Sequence, residues 1–268
     1  MLLFALSGLF GKWLTVSPII IVFGRAFFAA IAITSLLLFF SKQSIAISRR
    51  FYIPMLATGA VLAFHWVTFF YAIQLSTVAI GLITFACFPI FVSLLAPVFF
   101  KEKFHLSTLF QALLTLVGIS LVIPFEGISD NTLLGGVLGI LSALSFAILT
   151  LLNRKYVVSL SAKHVALYQN AVASICLIPF FGWLPMAITA NDLLLLALLG
   201  IVFTAFAHSL FNHSLKQVKA QTASIAVSLE PIYGIVAAYF LLGEQMTYVM
   251  MLGGALVIIA NVWAIRTD

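Results

Sequence analysis

Between Arg50 and Lys101 the chain runs for fifty residues without one Asp, Glu, Lys or Arg. No other feature limits the fold as much. A helix needs about 20 apolar residues to cross about 30 Å of hydrocarbon, so this segment holds two such crossings and a tight turn. The rest of the chain is built alike, with charges in ones and twos between continuous apolar runs. Only 7% of the 268 residues are charged and 64% are hydrophobic, whereas soluble proteins average about 25% charged. A chain with so few charges cannot clothe a water-facing surface. The pattern excludes a cytosolic enzyme, a disordered tail and a disulfide scaffold. An outer-membrane barrel is excluded too, because its strands would alternate apolar and polar residues. The expected class is an all-α polytopic membrane protein.

Spans are expected at 2–16, 19–40, 52–73, 77–100, 107–124, 133–153, 164–184, 193–214, 220–242 and 247–265, ten in all. Each should be helical, since lipid offers no partner to an unpaired backbone amide or carbonyl. The first meets Lys12 early and covers only about 20–24 Å, so it is expected to be truncated at its start. The loops give the orientation. With the N-terminus inside, Lys42, Arg49, Arg50, Lys101, Lys103, Arg154, Lys155, Lys163, Lys216, Lys219 and Arg266 are cytoplasmic, and Lys12 alone lies outside. Glu126, Asp130, Asp192 and Glu244 collect on the outer side. This distribution puts both termini in the cytoplasm, and the expected location is a bacterial inner membrane. It also accounts for the net charge of +6 without a nucleic-acid partner. Cys87 and Cys176 fall inside apolar runs and read as buried thiols.

The chain repeats itself at a shift of 142 residues. Phe88-Pro89 falls on Glu230-Pro231, Lys101-Glu102-Lys103 on Gly243-Glu244-Gln245, Phe4-Ala5 on Phe146-Ala147, and Lys12 on Arg154. Each half holds five spans, an odd number, so the second must enter the membrane from the opposite side. Inverted repeats of this kind are a mark of secondary transporters, with the site near the midplane between the halves. The expected units are residues 1–125 and 133–268.

Tyr71-Ala72-Ile73-Gln74 with Ser76-Thr77-Val78-Ala79, Phe88-Pro89 and Lys101-Glu102-Lys103 resembles the first EamA repeat of the drug/metabolite transporter superfamily. Ser228-Leu229-Glu230-Pro231 with Gly243-Glu244 resembles the end of the second repeat, and Arg25 after Ser17-Pro18 resembles an arginine early in that family's second span. The resemblance implies ten helices, two inverted bundles around a central cavity, alternating access, and transport of small metabolites. Export of amino acids or related neutral or zwitterionic compounds is the expected activity, with protons as a further partner and no obligatory protein partner.

Ionisable groups inside spans are costly, so they are functional candidates. Glu230 precedes Pro231, which removes a backbone donor and frees carbonyls for a ligand or water. It can carry a proton, gate, bind substrate, or tie two helices together. Arg25 can snorkel, pair with an acid or hold an anionic group, and structural anchoring is the preferred reading. His65-Trp66 lies mid-span, His208 and Asn212 share one helix face, and the repeat shift places Trp66 on His208. These groups, with Phe88 and Tyr233, are the expected pocket wall; the alternative is helix–helix hydrogen bonding. The small-residue stripe Gly135, Gly139 and Ala143 is expected to serve packing alone. No phosphate loop, zinc-protease or nucleophile-elbow motif occurs, and no metal or cofactor is expected. The competing readings are an intramembrane enzyme using His65, His208 and Glu230 as acid–base groups, and a haem protein with the two histidines as axial ligands.

Overall fold

The computed structural model describes residues 2–100, 107–122, 129–184, 187–220, 223, 227 and 229–267. Lys101, Glu102, Lys103, Glu126 and Ser228, which figure in the charge pattern and the family motifs, lie outside the described residues. Two short helices come first, α1 (Leu2–Ser7) and α2 (Phe10–Trp13). Next is α3 (Pro18–Ser35), which runs into a π turn at Leu36–Phe40, and then α4 (Tyr52–Leu75). One apolar stretch holds α5 (Val78–Phe85) and α6 (Phe88–Phe100), followed by α7 (Ser107–Val122), α8 (Asp130–Tyr156) and α9 (Ala162–Leu177). A second π turn, Ile201–Phe206, joins α10 (Ala190–Gly200) to α11 (Ala207–Ser214). The last helices are α12 (Glu230–Leu242) and α13 (Tyr248–Thr267).

Six stretches among the described residues are long and apolar enough to cross a membrane: Pro18–Phe40, Arg49–Leu75, Val78–Phe100, Asp130–Tyr156, Ala162–Trp183 and Ala190–Ser214. Leu2–Trp13, Glu230–Leu242 and Tyr248–Ala260 are apolar but shorter. The protein is an all-helical, multi-pass membrane protein, and its polarity is distributed accordingly. Phe40, Ile53 and Trp183 are about four-fifths exposed on the outside, while Arg25, His65, His208 and Glu230 are buried within. A water-soluble protein sorts these residues the other way round.

Caps set the helix starts. Ser17 accepts from the Ile20 amide (3.4 Å) with Pro18 at the first position, and Thr77 accepts from the Ile80 amide (3.1 Å). Thr189 and Asp192 form a reciprocal capping box, which satisfies two orphan donors at once. The expected sixth span, 133–153, is too short, because α8 continues through polar ends that suit a helix. Ser129 caps it, Asp130 sits in the first turn, and Arg154 and Lys155 sit in the last, each sign favoured by the helix dipole there. The expected span at 2–16 is two short helices, parted by turn residues Gly8 and Leu9. In the fourth span the helix stops at Phe85 and restarts at Phe88, one residue before Pro89, which has no amide to carry the ladder on.

Repeat-related elements meet. Shifted by 142 residues, Phe88–Phe100 falls end for end on Glu230–Leu242. Two pairs of counterparts pack together, α3 on α9 and α7 on α13, and α5 packs on α12. The longest packed pair is α4 on α8. A side chain at Gly139 would collide with the Thr84 hydroxyl, and a Cβ at Gly135 would stand 3.0 Å from the Ala72 carbonyl oxygen. The glycine stripe therefore lets α8 approach α4 and α5 closely. Cys87 is buried, as expected; Cys176 is not, since it lies only partly covered on the outer side of α9.

Candidate functional site

Arg25, His65, Trp66, His208 and Glu230 line one small cavity at the heart of the bundle, together with Phe4, Ser7, Phe69, Phe85 and Phe146. The Arg25 Nε–H donates to the Thr204 hydroxyl (3.0 Å), which donates in turn to the Leu199 carbonyl (2.8 Å). The guanidinium carbon lies 3.9 Å from the centre of the Trp66 ring and 5.4 Å from that of Phe70. Cation–π contact and one hydrogen bond thus hold the plane of the guanidinium. Its terminal N–H groups remain for a partner such as a carboxylate, which they match two to two. Arg25 does not snorkel. It is 2% exposed.

The two histidines are held differently. His65 Nδ1 lies 3.0 Å from the Ser142 carbonyl, while the Ser142 hydroxyl lies 3.0 Å from the His65 carbonyl and 2.8 Å from Nδ1. Donation from Nδ1–H to the Ser142 carbonyl and from the hydroxyl to the His65 carbonyl satisfies both backbones. It leaves Nε2 as the ring's acceptor. The ring also stacks on Phe146, centroids 4.7 Å apart. His208, by contrast, has no partner for either ring nitrogen among the described residues, and its ring lies 5.7 Å from Trp66. A buried imidazole with nothing to bond calls for a ligand or water.

Glu230, 4% exposed, begins α12, with Pro231 in its first turn. The cavity therefore holds one buried arginine and one buried glutamate among aromatic walls. Its volume is about 40 Å³, room for about one water, so the conformation is closed around its centre. Rings do the closing: Phe85 stacks on Phe88 (5.3 Å, 13° between planes) and Phe146 on Phe211 (5.7 Å, 27°).

Three expected wall residues lie elsewhere. Phe88 is fully buried behind the wall, where it packs on Phe85 and Phe146 and so positions rings that do face the cavity. Asn212 accepts from Asn153 Nδ2 (2.9 Å), and Asn153 Oδ1 accepts from Gln169 Nε2 (2.6 Å). This amide ladder ties α8, α9 and α11 together away from the cavity. Tyr233 is 45% exposed, because the buried stripe of α12 runs Glu230, Gly234, Ala238 at every fourth residue and Tyr233 falls off it. The wall also draws on α1 and α8, which held none of the expected residues. Phe4, Ser7, Phe69, Phe85 and Phe146 were missed, although the repeat shift had already placed Phe4 on Phe146.

One end of the bundle is tied shut. Lys12 Nζ donates to the Ser76 carbonyl (2.7 Å), and the Glu244 carboxylate accepts from the Val78 and Ala79 amides (3.0 and 3.3 Å) at the start of α5. Gln74 Nε2 donates to the Val16 carbonyl (3.0 Å), and Asp192 accepts from the Thr15 amide (3.4 Å). A carboxylate over the first amides of a helix is the favoured place for that charge.

The sequence model of the EamA-like transporter family matches residues 1–123 and 133–266. The chain belongs to the EamA-like transporter family. Among its relatives within curated proteins, an uncharacterized transporter of Archaeoglobus fulgidus is 30% identical over 188 residues, 70% of this chain and 67% of that one. The transporter YxxF of Bacillus subtilis is 29% identical over 193 residues, and there the match spans 62% of the relative's length. The S-adenosylmethionine uptake transporter of Rickettsia bellii is 25% identical over 249 residues, 92% of this chain and 84% of that one. A crystal structure 14% identical in sequence superposes with a TM-score of 0.71 over 100% of this chain and 96% of its own, so the fold is shared. Both matched segments contribute to the cavity wall, residues between Phe4 and Phe85 from the first and Phe146, His208 and Glu230 from the second.

Proposed function

We propose that this chain is a secondary transporter that moves a small zwitterionic metabolite, an amino acid or a derivative of one, by alternating access. The observation that carries the reading is the pairing of Arg25 and Glu230 in one buried cavity with Trp66 and His208. A guanidinium with free terminal N–H groups suits a carboxylate, a glutamate suits an ammonium, and an unpartnered imidazole suits a further polar group. Phe4, Phe69, Phe85 and Phe146 give the apolar remainder of a ligand its surface. S-adenosylmethionine, named for the Rickettsia relatives, carries both a carboxylate and an ammonium.

In this reading ten spans form two inverted five-helix repeats, residues 1–125 and 133–268, supported by the end-for-end match of α6 with α12 and by the packing of counterparts on one another. The membrane is a bacterial inner membrane, and both termini are cytoplasmic because Lys and Arg gather on that side. The bonds of Lys12, Glu244 and Asp192 are then an outer closure, and transport alternates between opening it and opening the inner side. Glu230 couples protons or gates, and Arg25 anchors the substrate. An acid–base enzyme has less support, since the His65 ring is committed to Ser142 through Nδ1 and the relatives are transporters. Direction follows the driving gradient, export being the expectation from the sequence.

The test is counterflow in proteoliposomes preloaded with unlabelled amino acids or S-adenosylmethionine. Accumulation of the labelled compound by a zwitterion, and by neither its amide nor its deaminated acid, is the expected result. Equal uptake of all three would remove Arg25 and Glu230 from recognition.

A further inference from the structure

A cavity larger than the central one lies on the flank of the bundle. About 600 Å³ in volume, it lies between α3 with its π turn on one side and the π turn and α11 on the other, with the start of α9 at one end. That is within the range of roughly 300–1,000 Å³ typical of small-molecule sites. None of α4, α5, α8 or α12 contributes to it, so it is a flank crevice, separate from the wall built by both repeats. Phe206 and Leu210 on its rim are more than half exposed, and its mouth opens sideways, toward lipid.

The two ends of the crevice differ in chemistry. Ala32, Ile33, Leu36 and Ala205 give it apolar walls, and Lys163, His213 and Lys216 stand at the other end, with no Asp or Glu in the lining. The basic end is held in place. Lys163 Nζ donates to the Ser41 hydroxyl (3.1 Å), His164 Nε2 to the Ser44 carbonyl (2.8 Å), and the Tyr168 hydroxyl to the Ile45 carbonyl (3.2 Å). These bonds fasten the loop after the first π turn to α9. The Ser209 hydroxyl, also in the lining, is buried without a partner among the described residues. A π turn stands in each long wall, and such widened turns part neighbouring backbones and often mark functional sites.

We propose that this crevice is a binding site for one anionic phospholipid, its acyl chain along the apolar walls and its phosphate at Lys163, His213 and Lys216. The charge at the rim selects the headgroup. A basic pocket between membrane helices attracts an anionic lipid headgroup, and the sideways mouth admits a chain from the bilayer. A zwitterionic lipid fills the same walls without that selection.

The experiment is native mass spectrometry of the full chain in detergent with equal amounts of phosphatidylglycerol and phosphatidylcholine. The parent protein should retain phosphatidylglycerol over phosphatidylcholine about tenfold. The double variant K163Q/K216Q, in which glutamine at 163 can still donate to Ser41, should keep its size-exclusion profile and bind the two lipids about equally. K155Q/K219Q, which removes the same charge outside the crevice, should keep the preference. A parent with no preference, a K163Q/K216Q protein that retains it, or an equal loss in K155Q/K219Q would each overturn the site.

Discussion

At the Lys12 end of the bundle Lys12, Glu244 and Asp192 are each bonded to another helix or to a neighbouring loop, whereas at the centre Arg25 and His208 are left with capacity to spare among the described residues. Lys12, Glu244, Asp192 and Gln74 bond mainly to backbone carbonyls and amides. Arg25 gives one N–H to Thr204 and lays its plane on Trp66, and His208 bonds to no described residue. Both regions are polar clusters in a protein poor in charge. The difference lies in what completes them. A closure is complete in itself and opens by exchanging its bonds for water. A binding centre is complete only with its ligand, because unpartnered buried donors cost about 1–3 kcal/mol each.

The sharpest break of this comparison is at Arg25. Arg25→Gln should abolish counterflow, and Arg25→Lys should restore little of it, because an ammonium can neither form the two-pronged contact nor lie flat on an indole. Full activity in Arg25→Lys would show that charge alone matters. Glu230→Gln should abolish gradient-driven accumulation and leave exchange largely intact, since glutamine mimics the protonated acid. If pH-dependent accumulation survives, Glu230 carries no proton. Trp66→Ala removes both the platform under Arg25 and a buried ring, a loss of about 1–3 kcal/mol, or roughly 5- to 150-fold in substrate affinity measured on monodisperse protein in detergent.

Asn212→Ala sharpens the comparison from the scaffold side. It leaves the Asn153 amide unpaired and should cost about 1–3 kcal/mol of stability, read as a lower unfolding midpoint, with substrate affinity unchanged. A change in affinity at constant stability would return Asn212 to the wall. The smallest effect is expected at Glu244. Glu244→Gln removes a charge from the start of α5, worth about 0.3–1 kcal/mol, and should raise the reactivity of a cysteine at Ser76 toward an impermeant thiol reagent. Unchanged reactivity would mean that Glu244 does not hold this end shut.

The sequence showed its polar exceptions best. Arg25, His65, Trp66, His208 and Glu230 stood out because each interrupts an apolar run, and the structure brings all five to one cavity. The phenylalanines of the wall did not stand out. With 26 in the chain, a Phe carries no signal of its own, and only the repeat shift pairing Phe4 with Phe146 distinguished two of them. Asn212 and Tyr233 were misplaced for a related reason. A span apolar on every side gives no clue to which face turns inward, so membership of a helix was legible and direction was not. The glycine stripe of α8 was legible because close approach demands small residues. The π turns at Leu36–Phe40 and Ile201–Phe206 have no comparable signature, and the flank crevice between them was missed with them.

The central claim is that the Arg25–Glu230 cavity opens to each side of the membrane in turn. Ser7 lines that cavity and tolerates a near-isosteric change, so Ser7→Cys in a background of Cys87→Ala and Cys176→Ala is the direct probe. Membrane-impermeant thiol reagent would be applied to right-side-out and to inside-out vesicles, with and without a transported substrate. The expected result is labelling from both sides, slowed from both by substrate. Labelling from one side only, or at a rate substrate does not change, would contradict the assignment of this cavity as the alternating-access site.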